Sequence, residues 1–150
     1  MVTREEVLAK IDLAFAAVER PHNDELHHPE SFDDMDLEPL YGIESWRDMN
    51  DHDVIESYAA PAFLSAAGFR YFLPAYMRYC LNNPDSAEAV VSSTIWHLDP
   101  NLYSERIAAY TRSQFELLDE AQRASIVSFL EAMMESSYGD DALHALVEWT

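Results

Sequence analysis

Residues 69–81 read FRYFLPAYMRYCL, and this stretch decides the fold. Phe69, Phe72, Leu73, Tyr76, Met77 and Cys80 recur at the three- and four-residue spacing of one helical face. A helix carrying that much apolar bulk must be buried. Pro74 stands in its middle, where a missing backbone donor and a clash with the preceding turn predict a kink or a break into two short helices. The positions off the stripe hold Arg70, Tyr71, Arg78 and Tyr79.

The same periodicity recurs outward from this segment. Thr3 and Glu6 predict a T-x-x-E capping box. They open a helix expected over Arg4–Arg20, with Val7, Leu8, Ile11, Ala14, Phe15 and Val18 inward and Pro21 as its stop. Asp51 or Asp53 is placed to cap a short helix to Ala59, and Pro61 to start another that ends at Gly68. Asp85 with Glu88 predicts a cap for a helix to His97. Its AVVSSTIW run has strand propensity, but no partner strand is in evidence. A short helix is expected over 102–112 around Tyr103, Ile107 and Tyr110. Asp119 and Gln122 open a stronger one along Ile126, Phe129, Leu130 and Met133, and Gly139 restarts the chain in a last helix. Only Gly42, Gly68 and Gly139 supply glycine, and no Asn-Gly or Asp-Gly hairpin signal occurs. The chain reads as all-α: one compact domain over 1–150, about six or seven helices around a proline-kinked aromatic helix.

Residues 21–50 are the irregular part, a long acidic excursion with Pro29 and Pro39 and no period of either kind. A turn of helix is expected near Asp36–Tyr41, ended by Gly42, with Trp46 anchoring the excursion on the core.

The net charge is −19 over 150 residues, and it is unevenly spread. Residues 21–60 carry a net −11 and residues 113–150 a net −7, while 61–112 balance. Such a surface disfavours direct nucleic-acid binding and anionic membranes, and attracts basic proteins. No apolar run is long enough to span a bilayer, no secretory leader is recognised, and Cys80 has no partner cysteine. A cytoplasmic protein is expected.

Four groups of residues bear on chemistry. PHNDELHHPE gathers His22, His27, His28 and Glu30, ligand types for a divalent metal, though without H-E-x-x-H spacing and between prolines. The acids Asp33, Asp34, Asp36 and Glu38 have a calcium-loop spacing but Glu38 where the loop needs glycine. Ser92, Ser93, His97 and Asp99 lie close, with no G-x-S-x-G to present a nucleophile. Arg70 and Arg78 share one stripe, expected to pair with the protein's own acids. Together with Trp46, Tyr71 and Tyr79 they also have the composition of a partner-contacting patch.

Three features together resemble a bacterial domain family of unknown function: Ile11, Ala14 and Phe15 in the opening helix, Glu44-Ser45-Trp46-Arg47-Asp48, and the aromatic core Phe69 to Tyr76. The resemblance spans roughly residues 8–135 and implies a small all-helical protein with no assigned activity. No cofactor is expected. The leading functional reading is a non-catalytic acidic interaction module, of inhibitor or antidote type, acting on a basic partner surface. A metal-binding protein or metal-dependent enzyme built on His22–Glu30 is one alternative, and a nucleic-acid mimic is another.

Overall fold

The computed structural model describes residues 2–31 and 35–150. Among them, eight α-helices follow in order: α1 (Arg4–Ala14), α2 (Glu38–Tyr41), α3 (Asp51–Glu56), α4 (Ala66–Asn82), α5 (Ala89–His97), α6 (Glu105–Ser113), α7 (Glu120–Met133) and α8 (Gly139–Trp149). No strand occurs among the described residues; the AVVSSTIW run is helical in α5. The fold is all-α.

α4 is the axis of the molecule, touching α1, α3, α5 and α7. Its burial exceeds the stripe read from the sequence. Tyr71, Pro74, Tyr79 and Leu81 are buried along with Phe69, Phe72, Leu73, Tyr76, Met77 and Cys80. A helix surrounded by others is apolar all round rather than on one face. This environment also answers the question of Pro74: α4 runs unbroken from Ala66 to Asn82. An internal proline costs about 3 kcal/mol. Phe69, Phe72, Leu73, Tyr76 and Met77 are at most 3% exposed, and each such side chain contributes about 1.5–3 kcal/mol on burial. Packing therefore outweighs the proline several-fold. Burial also pushes the Cys80 thiol up to about 12, which makes it an inert core residue rather than a nucleophile.

Local caps set most helix starts. Thr3 Oγ1 accepts from the Glu6 amide, and Asp119 and Gln122 bond reciprocally across the first turn of α7. Two caps differ from expectation. Asn50, not an aspartate, caps α3 in a box with Asp53. Asp85 does not cap α5; its carboxylate accepts from Ser137 N and Oγ at 2.8 and 2.6 Å, tying the turn before α5 to the turn before α8.

Two helices are shorter or later than predicted. α1 stops at Ala14, and beyond it Arg20 donates to the carbonyls of Ile43 and Leu40. The segment after Pro61 is not an α-helix to Gly68. It is a 3-10 turn, Ala60–Phe63, followed by Leu64 in an isolated antiparallel bridge with His27. Ser65 then caps α4. Gly68 lies inside the first turn of α4, where a Cβ would come within 3.0 Å of Leu64 Cδ2 and 3.2 Å of the Leu26 carbonyl.

The acidic excursion is thus built into the core rather than hung from it. Leu26, Leu37 and Leu40 are fully buried, and Trp46 is 3% exposed. The turn expected near Asp36–Tyr41 forms as a 3-10 turn running into α2, with Gly42 at its end.

Candidate functional site

Trp46, Tyr71, Arg78 and their neighbours do come together, as an internal clamp. Arg78 donates from its guanidinium to the carbonyls of Met49 (2.7 Å), Arg47 (3.2 Å) and Trp46 (3.3 Å). The Trp46 ring is covered by two guanidinium groups, Arg47 at 4.4 Å and Arg78 at 5.2 Å from its centroid. The Trp46 amide donates to the Tyr71 hydroxyl. Arg47 closes the clamp over α1 through Asp12 at 2.9 Å. Trp46, Tyr71 and Tyr79 are 3–5% exposed, so these rings face the protein's own core. Tyr79 reaches Ser86 instead, at the far end of α4.

The expectation that Arg70 and Arg78 pair with internal acids is corrected by the same geometry. Among the described residues neither lies within ion-pair reach of a carboxylate. Arg78 binds three carbonyls, and Arg70 makes a long 3.4 Å contact to the Leu117 carbonyl while its buried Nε has no partner. Arg20 and Arg123 behave alike. Arg20 donates to Ile43, Pro21 and Leu40 carbonyls, and Arg123 to those of Leu118 and Phe115. A carbonyl carries only a partial charge, so these cations stabilise loops without neutralising acids. The carboxylates that lysine or arginine does meet, among the described residues, are Glu5, Asp12 and Glu148. Every described acid except Asp99 is at least partly exposed. The result is a surface on which acids outnumber bases, with Arg20, Arg70 and Arg78 partly buried and the other basic residues exposed among the acids.

The histidine group does not assemble. His28 is buried, stacks on Tyr110 at 4.0 Å, faces Ser113 Oγ through Nε2 at 2.9 Å, and accepts the Glu30 amide at Nδ1. Burial lowers its pKa. His22 is exposed at the start of a 3-10 turn. Among the described residues no three His, Cys, Asp or Glu side chains are grouped to hold a metal. Asp33 and Asp34 of the acid run lie outside the described residues; Glu38 begins α2.

The serine and histidine group is also dispersed. Ser92 bonds the Ala89 carbonyl. His97 lies beside Phe69 and Phe115 and bonds Gln114 Oε1 at 2.8 Å, and burial drives its pKa down to about 4. Gln114 in turn donates to the carbonyls of Pro61 and Leu64. Asp99 pairs not with His97 but with His144, a residue the sequence did not single out. Asp99 is 1% exposed and holds Nδ1 of a half-exposed imidazole; its other oxygen has no partner. With Trp149 Nε1 on the Leu98 carbonyl and Arg112 on Glu148, this pair fastens α8 to the rest of the molecule. Aspartate and histidine 45 residues apart leave no local signal.

With this geometry in place, the chain can be compared with known proteins. Residues 3–149 match a family of unknown function, DUF6714, and the chain belongs to that family. Comparison with curated proteins and with solved structures gives no match. Among the described residues no helix is long and apolar enough to cross a membrane.

Proposed function

We propose that the protein is an acidic interaction module, of inhibitor or antidote type, whose surface covers a basic face of a partner protein in the cytoplasm. One observation carries this reading: Arg20, Arg70, Arg78 and Arg123 are directed at main-chain carbonyls, which leaves the acids unneutralised at the surface. With 28 acids against nine basic residues the molecule carries a strongly negative field, and such fields steer oppositely charged partners into encounter.

The test is to crosslink the protein in cells, purify the captured partner and measure association of the pair by biolayer interferometry from 50 to 500 mM salt. The partner is expected to be basic, with an association rate falling at least tenfold over that range. An acidic partner, or a rate indifferent to salt, would refute the reading.

A further inference from the structure

Large apolar side chains gather in the open beside α8. Every residue from Asn101 to Ile107 is exposed, and Leu102, Tyr103 and Ile107 among them are 42–50% exposed. They leave the 3-10 turn Pro100–Leu102 and enter α6. On α8, Leu143 and Val147 stand four residues apart on one outward stripe, 55% and 69% exposed. Side-chain bonds hold the two groups side by side. His144 Nδ1 donates to the Asp99 carboxylate, Asn101 donates to Glu148, and Arg112 of α6 donates to both Glu148 and Asn101. His144 and Glu148 form the stripe of α8 next to Leu143 and Val147, so the loop that carries Leu102 and Tyr103 runs along that edge of the helix. Single exposed apolar residues are ordinary, whereas a group of them rimmed by polar residues marks an interaction surface.

Charge decides what fits this face. With nine basic residues against 28 acids, two copies of the chain repel over most of their surface. Here charges are paired within the chain, Arg112 with Glu148 and His144 with Asp99. Around the apolar group that leaves the exposed Glu105, Arg106 and Asp140, both signs together. Among the described residues Arg106 takes part in no ion pair. A strongly basic partner would meet Arg106 and Arg112 on this face. A second copy, turned about a two-fold axis, would set apolar residues on apolar residues and bring acids to Arg106.

We infer that a second copy of this chain covers this face, in a two-fold dimer through Leu102, Tyr103, Ile107, Leu143 and Val147, with Arg106 of each copy against the acids Glu105 and Asp140 of the other. The contact lies apart from the acidic excursion. It goes beyond the acidic-module reading and does not depend on it. Its salt dependence has the opposite sign to that of steered partner binding. Screening relieves repulsion between two molecules of charge −19, which outweighs the loss at the few Arg106 contacts, so salt tightens the dimer.

Sedimentation equilibrium of the full chain, from about 5 to 500 µM protein and about 50 to 500 mM salt, tests the inference. A monomer–dimer equilibrium is expected, with an association constant that rises at least tenfold with salt. Dilution of the methyl-labelled unaltered chain, followed by NMR, should move the methyls of Leu102, Ile107, Leu143 and Val147 and leave those of the core in place. Leu102→Glu with Val147→Glu should weaken the dimer at least tenfold. Val2→Glu with Leu13→Glu carries the same change in charge on exposed residues of the first helix and the chain before it, and should leave the dimer within threefold. Melting followed by circular dichroism confirms that both variants fold, and the dilution shifts of the unaltered chain decide the matter if one does not. A chain monomeric under all these conditions, a dimer that salt weakens, equal weakening by the two variant pairs, or dilution shifts centred elsewhere would overturn the inference. Each of these results leaves salt-steered binding of a basic partner untouched, and loss of that binding leaves the dimer untouched.

Discussion

Replacing Arg78 by methionine isolates the clamp that holds the acidic excursion to α4. Methionine keeps much of the aliphatic stem over Trp46 and removes the guanidinium. Three bonds are lost, at 2.7, 3.2 and 3.3 Å, two of them half-buried and one exposed. A net bond contributes about 0.5–1.5 kcal/mol, and the stacking on Trp46 about 0.5–1 kcal/mol more. The longer bonds belong at the low end, and neighbouring effects do not add fully. The expected loss is about 2 kcal/mol. Arg78→Lys should recover about half, because an ammonium reaches the Met49 carbonyl but lacks the fork that spans three acceptors. Urea unfolding at pH 7 measures the global cost, and hydrogen exchange at residues 46–50 shows whether the excursion opens first. A loss under about 0.5 kcal/mol for Arg78→Met, or a lysine variant as stable as the unaltered protein, would refute the argument. The second result would mean that charge alone, and not geometry, does the holding.

Two further outcomes follow from buried groups. His97 titrates near 4 in the folded chain against 6.5 when unfolded, so the unfolded state takes up its proton first as pH falls. Stability should be flat above about pH 7 and decline between there and pH 4 by up to about 3 kcal/mol, a decline that His97→Gln should largely remove in urea midpoints measured at pH 7.5 and 4.5. His28 adds to the slope in the same direction. Gly139→Ala places a Cβ against the Met134 carbonyl, and the loss of about 1–3 kcal/mol should exceed the gain in helix propensity; a variant with a raised melting temperature would show that the start of α8 yields.

What could be read from the chain was what is local. Asp119 with Gln122 closes the reciprocal box that its spacing predicts, while Thr3 with Glu6 supplies one half of it, the Glu6 amide to Thr3 Oγ1. The stripe from Phe69 to Cys80 placed the central helix, but its width depended on neighbours, and enclosure by other helices buries Tyr71 and Tyr79 as well. Asp85 was misassigned to α5 because its true partner, Ser137, is 52 residues away. The arginines were misassigned for a different reason. A carbonyl is present at every residue and leaves no mark in a sequence, whereas a carboxylate does, so arginine invites pairing with the acids one can see. Asp99 is grouped by its neighbours with Ser92, Ser93 and His97, while its partner His144 stands 45 residues on in the middle of α8, where no local spacing marks it.

The carbonyl-bound arginines also decide where a protease can begin. An endopeptidase that cuts after a basic residue must draw that side chain into its pocket and extend the main chain on both sides. Arg20, Arg78 and Arg123 are each tethered to two or more carbonyls of other residues, and Arg70 and Arg78 lie within an almost wholly buried helix. Cleavage at those bonds waits on unfolding, so its rate reports the stability of the fold rather than the reach of the enzyme. The acids stand exposed along the excursion and the later helices, and an endopeptidase that reads acids meets the native surface first. The bonds after Arg20, Arg70 and Arg78 are therefore guarded until the fold opens, whereas the exposed Arg4, Lys10 and Arg106 leave basic sites beside the acids on the native surface.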